Sequence, residues 1–496
     1  MFFPGMCGFK VHGSKLMAFI WLTGVLFASC SPAARIARSA RETVLSTKAL
    51  EAAHVGISIY EPETNKYWYE YQADKYFVPA SNTKIATCYV AMKYLGDSLA
   101  GLKMGVAQNE DSSISYLAIQ PAGDPSFLHP DFPRQPAWEK VYRQLRNYHN
   151  ELVLLDTIWR DDHFGNGWSW NDYEAAYMAE RSSFPVYGNV VSIKLNPPAK
   201  RDPAIKEGRS GNEWLLFKTN SSYFDSIVNA RSFYLSKETQ QQAIPYLKLS
   251  RDLSRNDFII RSSAQSFSPT TIPFVTNGSE TAISLLSHDF QVSIHRIRPQ
   301  YDIAGGYLCE GCAGLNLKVK EWKTVWSRPT DSLLKPMMHE SDNFFAEQSL
   351  LMVSNKLLGY MNDGRVIDSL LKKDLADLPQ RPRWADGSGL SRYNLFSPRD
   401  LVTILNKIRS EFGMERVKLV FPTGGEGTIS NYYKSDSGYI YGKTGTLSGV
   451  VAFSGYLITK KGKLLLFSTL VNNHQASATE VRKSIEKFLQ ATRENY

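Results

Sequence analysis

The stretch Val78-Pro79-Ala80-Ser81-Asn82-Thr83-Lys84-Ile85 places a serine and a lysine three positions apart at the start of a predicted helix. Residues at this spacing lie on one face of a helix, so we expect the Ser81 hydroxyl to face the Lys84 amine. A serine hydroxyl is a poor nucleophile until a base takes its proton. A lysine whose pKa is lowered by desolvation does this without a histidine. The stretch therefore favours a nucleophilic serine.

Ser-x-x-Lys is a weak signal by itself, because it recurs in three other helix-like runs where a solvated face explains it: Ser332/Lys335, Ser369/Lys372 and Ser484/Lys487. Ser81 differs because apolar residues follow it at helical spacing, namely Ile85, Cys88, Tyr89, Met92 and Leu95. This pattern places the pair at the buried start of a core helix. On position alone, an N-cap explains Ser81 equally well.

The composition indicates an exported globular protein. The 496 residues are 43% hydrophobic and 21% charged, which excludes a disordered or fibrous chain and suffices for roughly two to four domains. Segment 1–30 carries two lysines, an apolar run from Leu16 to Phe27 and then Ala28-Ser29-Cys30, as in a secretory signal with a lipobox. Phe27 stands where such motifs usually carry leucine, so lipidation of Cys30 and ordinary cleavage nearby both stay open. We predict a periplasmic or envelope-anchored location.

Charge and cysteine content exclude several functions. The net charge is +9, and loss of residues 1–29 would leave +7, which suits an anionic envelope surface. We predict no nucleic-acid partner, because no zinc, helix-turn-helix or stacking-ribbon signature accompanies the charge. The single close pair, Cys309-Glu310-Gly311-Cys312, cannot supply four zinc ligands, and a local disulfide is favoured over a redox centre. We predict neither a metal nor a cofactor.

The order of predicted elements indicates a main domain interrupted by an insertion. A helical pattern over Ala34–Ala53 precedes a hairpin, His54–Tyr60 and Tyr67–Tyr71, which leads into the Ser81 helix. Short strand-like runs then follow: Leu152–Leu155, Val190–Leu195, Trp214–Lys218, Phe258–Arg261 and Ala282–Leu286. We therefore divide the chain into a signal segment 1–30, a first part of the main domain 31–100, one or two β-rich inserted subdomains 101–317, and a second part 318–496.

Two further motifs lie in the second part. Ser341-Asp342-Asn343, flanked by apolar runs, predicts a turn between two helices that projects a hydroxyl and an amide. Lys443-Thr444-Gly445-Thr446 follows a strand that begins at Tyr439, and the strands Val450–Thr459 and Lys463–Val471 come next. A capping box, Ser477-x-x-Glu480, begins the last helix. The glycine-rich stretches 386–392 and 424–428 predict tight loops rather than a phosphate cradle.

Within the insertion, Trp168-Ser169-Trp170-Asn171-Asp172 combines aromatic surface with a carboxylate. A buried tryptophan pair with Asp172 as a cap explains this stretch as well as a binding surface does.

Taken in order, Ser81-x-x-Lys84, Ser341-Asp342-Asn343 and Lys443-Thr444-Gly445 resemble the signature of the penicillin-recognising serine acyl enzymes. The spacing of 260 residues between Ser81 and Ser341 excludes a minimal β-lactamase layout. The chain resembles the low-molecular-mass class C (type-4, DacB-like) penicillin-binding proteins, which are D-alanyl-D-alanine carboxypeptidases and endopeptidases. The resemblance implies an α/β (α+β) fold: a serine β-lactamase/transpeptidase-like domain, an antiparallel sheet with helices, split by nested β-rich insertion domains.

The resemblance also implies residue roles. Ser81 would attack the carbonyl between two D-alanines while Lys84 takes its proton. Ser341 would relay that proton to the leaving amine, and Asn343 would hold the peptide amide. Lys443 would supply a positive charge, and Thr444, Gly445 and Thr446 would bind the substrate's carboxylate. The backbone amides of Ser81 and Thr446 would form an oxyanion hole. Asp172 would contact the amine of a diaminopimelate-type stem peptide.

We therefore predict a penicillin-sensitive D-alanyl-D-alanine carboxypeptidase that acts on peptidoglycan stem peptides, with β-lactams as covalent inhibitors. The sequence lacks Glu-x-x-Leu-Asn between its second and third motifs, so a penicilloyl-enzyme should persist. Three alternatives stay open: a predominant DD-endopeptidase, a β-lactamase, or a non-catalytic envelope lipoprotein that binds peptidoglycan. The three intact motifs argue against the last.

Overall fold

The computed structural model describes residues 32–109, 114–196, 216–228, 247–262, 267–299, 307–310, 316–319 and 321–496. The predicted signal segment lies outside these ranges, as does Cys312 of the predicted disulfide. Within them, no helix is both long and apolar enough to cross a bilayer, and no cluster of three or more His, Cys, Asp or Glu side chains is arranged to hold a metal.

The described α-helices are α1 Pro32–Ala40, α2 Lys84–Tyr94, α3 Pro136–Leu145, α4 Ser222–Val228, α5 Glu280–Phe290, α6 Asp331–His339, α7 Asn343–Leu358, α8 Asp363–Lys372, α9 Pro398–Val420 and α10 Ala478–Glu494. The described strands are β1 His54–Glu61, β2 Lys66–Tyr71, β3 Ser98–Gln108, β4 Ser115–Pro121, β5 Glu151–Leu155, β6 Val190–Asn196, β7 Leu216–Thr219, β8 Leu247–Arg251, β9 Phe258–Ser262, β10 Phe267–Pro273, β11 Ser293–Pro299, β12 Tyr307–Glu310, β13 Asn316–Val319, β14 Lys323–Pro329, β15 Ile440–Leu447, β16 Val450–Ile458 and β17 Leu464–Asn472.

One antiparallel sheet, ordered β15-β16-β17-β1-β2, joins the two ends of the chain. Strand β1 pairs with β17, with Val55 opposite Val471. Because side chains alternate across a strand, the sheet has two apolar faces. One face packs on α1 and α10, and the other packs on α2, α7 and α9. The predicted hairpin, the capping box at Ser477 and the antiparallel sheet between helices are confirmed.

A second, mixed sheet lies in the intervening part of the chain, ordered β13-β12-β11-β5-β4-β3-β14. Strand β5 is parallel to β4 and to β11. The strands β3 and β14 of this sheet pair with each other, with Leu102 opposite Val325. The chain leaves and re-enters the five-stranded antiparallel sheet on either side of this pair. Helices α3 and α5 pack on this sheet through an apolar cluster. Two smaller sheets, β10-β6-β7 and β8-β9, complete the inserted region.

One strand prediction in this region was wrong. Residues Ala282–Leu286, predicted as a strand, lie in helix α5. Ala282, Leu285 and Leu286 are buried, whereas Ile283 and Ser284 between them are partly exposed. This burial pattern has helical spacing. In the sequence, an apolar run of five residues fits a buried helix and a buried strand equally well. The predicted strands Leu152–Leu155, Val190–Leu195 and Phe258–Arg261 are confirmed, and Trp214–Lys218 in its described portion.

Candidate active site

The nucleophile candidate lies in a tight turn at the entrance to α2. Residues Ala80–Thr83 form a 3-10 turn, and the N-cap of α2 is Thr83, so the alternative that Ser81 is the cap is wrong. Ala80 has a φ of +47°, a conformation that costs free energy for a residue with a side chain. A glycine packs behind it: a Cβ on Gly389 would lie 1.9 Å from the Ala80 carbonyl oxygen. The turn holds Ser81 partly exposed.

Three groups surround the completely buried Lys84 amine. Its Nζ lies 2.7 Å from Asn343 Oδ1, 2.8 Å from the Ser388 carbonyl oxygen and 3.0 Å from Ser81 Oγ. A neutral amine has two N–H donors and one lone pair. Asn343 and Ser388 offer only acceptors, so they take both donors. The lone pair is left for the Ser81 O–H, which is the arrangement that a general base requires.

Electrostatics bring this amine close to its neutral form. Burial lowers the pKa of Lys84 to about 8, although the negative charges of Asp342, Asp386 and Glu347 oppose the decrease. Catalytic bases work best when their pKa lies near the working pH. A substantial neutral fraction of Lys84 is therefore present in mildly alkaline solution.

The second motif forms the predicted turn between two helices, α6 and α7. Ser341 has a φ of +63°, and the Asp342 side chain caps α7 by accepting from the Phe345 amide at 2.8 Å. Lys443 Nζ donates to Ser341 Oγ at 2.8 Å and to the Thr444 carbonyl at 2.9 Å. Burial, and then the charge of Lys84, lower the pKa of Lys443. Ser341 thus contacts Lys443 directly. It lies two residues from Asn343, which contacts Lys84.

The third motif lies on β15, the edge strand of the five-stranded antiparallel sheet. The Asn82 side-chain amide donates to the Lys443 carbonyl at 2.8 Å and joins this strand to the turn that carries Ser81. A Cβ on Gly445 would lie 2.6 Å from the Pro79 carbonyl oxygen and 3.0 Å from the Ser81 nitrogen, so this close approach requires glycine. Thr446 Oγ1 accepts from Arg482 at 2.7 Å. The structure thus brings all three motifs into direct contact with one another.

The loop after residue 385 holds the carbonyl that contacts Lys84, a role that the sequence did not reveal. Buried Asp386 accepts from the Gly389 and Ser391 amides, each at 2.7 Å. Glu347 accepts from the Ser388 amide at 2.7 Å, and burial raises the pKa of Glu347 to about 7. The only sequence signal was the resemblance over 386–392, because a backbone carbonyl has no residue signature.

The inserted region contacts the second motif. Asn343 Nδ2 donates to the Tyr177 carbonyl at 3.0 Å. Burial and the Asp172 carboxylate raise the pKa of the Tyr177 phenol. Trp170 is 77% exposed, so the alternative of a buried tryptophan pair is wrong. Tyr177, which the sequence analysis missed, therefore contacts Asn343 through its carbonyl and is influenced by Asp172 through its phenol.

A family model described as the D-Ala-D-Ala carboxypeptidase 3 (S13) family matches residues 38–223 and 320–492, which is most of the chain. The chain belongs to the D-Ala-D-Ala carboxypeptidase 3 (S13) family. This S13 chain is 24% identical to a D-alanyl-D-alanine carboxypeptidase of Actinomadura sp. strain R39, over 88% of this chain and 81% of the relative. It is 23% identical to the D-alanyl-D-alanine carboxypeptidase DacB of Haemophilus influenzae, over 91% of this chain and 92% of that relative.

The crystal structure of penicillin binding protein 4 (dacB) from Haemophilus influenzae has the same fold. It superposes with a TM-score of 0.65 at 19% identity and covers 92% of this S13 chain and 97% of that chain. The predicted family resemblance and the mixed α+β fold with extra domains are confirmed. The S13 chain is a serine-type carboxypeptidase, a hydrolase, as predicted. The roles of its individual residues stay a prediction, developed below.

Proposed function

We propose that this carboxypeptidase removes the terminal D-alanine from peptidoglycan stem peptides through an acyl-enzyme on Ser81. The observation that carries the proposal is the position of the Lys84 amine, which lies 3.0 Å from Ser81 Oγ with both of its other contacts made by acceptors. The names of the Actinomadura and Haemophilus relatives support the substrate class.

Acylation proceeds in two proton transfers. Ser81 Oγ attacks the carbonyl carbon between the two D-alanines, and its proton moves to Lys84 Nζ. The oxyanion accepts from the Ser81 and Thr446 backbone N–H groups, each of which contributes about 3 kcal/mol to transition-state stabilisation. Ser341 passes a proton from Lys84 to the leaving nitrogen while the C–N bond breaks. D-alanine departs and the ester on Ser81 remains.

The edge strand β15 binds the substrate. An extended peptide adds to an exposed sheet edge through main-chain hydrogen bonds, and β15 has such an edge beside Ser81. Asn343 holds the substrate's peptide amide. The terminal carboxylate lies at the hydroxyls of Thr444 and Thr446, on either side of Gly445, near the positive charge of Lys443. Asp172 meets the amine of a diaminopimelate-type side chain.

Deacylation by water returns Ser81 and completes hydrolysis. With a β-lactam the opened ring stays attached, so no leaving group vacates the site. The chain also lacks the Glu-x-x-Leu-Asn pattern of class A β-lactamases. The penicilloyl-enzyme is therefore long-lived, and penicillin inhibits rather than being turned over. The Haemophilus protein has been solved in complex with a β-lactam.

We also propose where the protein is located and how its domains are divided. Segment 1–30 directs export to the periplasm or envelope, and a lipid on Cys30 provides the membrane contact. The catalytic domain comprises 31–100 and 318–496, with 101–317 inserted.

The test separates substrates. Purified muropeptide monomers with pentapeptide stems and cross-linked dimers are digested separately by wild type and by Ser81→Ala. We expect D-alanine release from monomers by wild type alone. Faster cleavage of dimers than monomers would favour the endopeptidase alternative, and no cleavage of either by folded wild type would favour the binding-protein alternative.

A further inference from the structure

An arginine outside the three motifs lies against the third one. Arg482 is on α10, and its Nη2 donates to Thr446 Oγ1 at 2.7 Å. Arg482 also lines a small cavity together with Thr444, the other hydroxyl of the motif. The guanidinium therefore contacts one of the two threonines to which the proposed function assigns the substrate's carboxylate, and Arg482 shares a cavity lining with the other.

Among the residues that the structure describes, this guanidinium has spare donors and no carboxylate partner. Arginine has five N–H donors, and within the described part of the chain the Thr446 hydroxyl is the acceptor that Arg482 contacts. No carboxylate among the described residues lies within 4.0 Å of it. Arg493, farther along the same helix, instead pairs with Asp436 at 3.3 Å. Arg482 is thus held in place by a neutral group, and its charge is not compensated by a described acidic side chain.

Two other cations adjoin the same segment. Lys443 donates to Ser341 and Thr444, and Arg392 Nη2 donates to the Ser448 carbonyl at 2.7 Å. Neither has a carboxylate within 4.0 Å in the ranges that the structure describes. Two arginines, Arg392 and Arg482, therefore contact the stretch Lys443–Ser448, and the Lys443 amine adds N–H donors within it. An anionic ligand would find both charge and donors there.

We infer that Arg482 binds the α-carboxylate of the leaving D-amino acid and thereby makes a free carboxylate at that position the main requirement for substrate selection. The inference rests on the proposed function and adds to it a residue that no motif predicted. A guanidinium forms paired, charge-assisted hydrogen bonds with a carboxylate, which an ammonium does not match. Arg482 contacts the leaving residue and none of the reacting atoms, so it determines specificity.

The test compares two substrates that differ only at this group: an acyl-D-alanyl-D-alanine and the corresponding acyl-D-alanyl-D-alaninamide. In Arg482→Gln we expect kcat/KM for the acid to fall about 10- to 100-fold, and that for the amide to change by less than about threefold. Arg482→Lys should keep part of the preference. Lys483→Gln, at an exposed position next to it on the same helix, is the matched control and should leave both values unchanged.

The ratio of the two kcat/KM values does not depend on the fraction of active enzyme, so partial misfolding of a variant does not affect it. An unchanged acid-to-amide ratio in Arg482→Gln would overturn the inference, whether activity on both substrates falls together or stays intact. Equal loss of preference in Lys483→Gln would also overturn it, because general surface charge would then explain the effect. Failure of folded wild type to cleave either substrate would instead refute the proposed function.

Discussion

The catalytic region and the inserted region use buried polar groups differently. In the catalytic region, strands from both ends of the chain share one sheet, and Lys84 contacts Ser81, Asn343 and Ser388 from three separate segments. In the inserted region, buried Arg181 contacts the carboxylates of Glu347 and Asp363 in the catalytic region. The first arrangement positions a proton acceptor, whereas the second attaches one region to the other. We therefore expect variants in the two regions to affect different measurements.

The largest effect is expected at Lys84. Lys84→Met removes the base, and we expect kcat/KM for a stem peptide to fall about 10²- to 10⁴-fold. We expect kcat/KM of Lys84→Arg to fall as far, because a guanidinium keeps its proton at any pH at which the protein is folded. The measurement is the rate of D-alanine release from one purified stem peptide. Near-wild-type activity in Lys84→Arg would mean that charge rather than proton transfer is what Lys84 supplies.

Arg181 tests the inserted region. Arg181→Met leaves Glu347 and Asp363 without their cation, and breaking a buried pair in this way costs about 3–5 kcal/mol of unfolding free energy. Burial already raises the pKa of Glu347 to about 7, and without the cation Glu347 resists ionisation more strongly. Because protonation of Glu347 relieves the unpaired charge, we expect the loss in denaturant unfolding to be larger at pH 8 than at pH 5. An equal loss at both pH values would indicate that lost packing, not charge, is responsible.

The pH profile examines the catalytic region more closely. Lys84 acts as a base only when neutral, and its pKa is lowered to about 8. We expect kcat/KM to rise with pH up to about 8 and to be about 100-fold below its plateau at pH 6. Glu347→Gln removes a charge that raises this pKa while keeping an acceptor for Ser388, so the rising limb should move to lower pH. A limb that does not move would exclude Lys84 as the titrating group.

The smallest effect is expected at Asp172. Asp172→Asn should lower kcat/KM about two- to fivefold for a stem peptide with a free diaminopimelate amine, because a partly exposed ion pair contributes at most about 1 kcal/mol. The same peptide acetylated at that amine should be cleaved equally by both proteins, and Asn171→Ala serves as an exposed control. A slower acylation by penicillin in Asp172→Asn would instead place Asp172 in the chemical step through Tyr177 and Asn343.

The catalytic half of the molecule was predictable because its signals are local. Ser81 and Lys84 lie three residues apart, and the Ser477 capping box marks the last helix within four residues. Short-range spacing fixes which side chains share a helix face, and the ordered motifs then indicate the family. The antiparallel sheet between helices and the turn that carries Ser341 followed from these patterns.

The remaining features depend on tertiary packing or on backbone groups. The carbonyls of Ser388 and Tyr177 contact the Lys84 and Asn343 side chains, and any residue type supplies a carbonyl. Arg482 reaches Thr446 only because α10 packs beside β15, a relation between segments 36 residues apart. The run Ala282–Leu286 was misassigned because five apolar residues fit either period.

The most direct test of the account is the mass of the intact protein after incubation with benzylpenicillin, for wild type and Ser81→Ala. We predict a stable adduct of one penicillin on wild type and none on Ser81→Ala. An adduct on both proteins would contradict the assignment of Ser81 as nucleophile. No adduct on folded wild type would contradict the long-lived acyl-enzyme; loss of β-lactam would then indicate a β-lactamase, and intact β-lactam a protein without this chemistry.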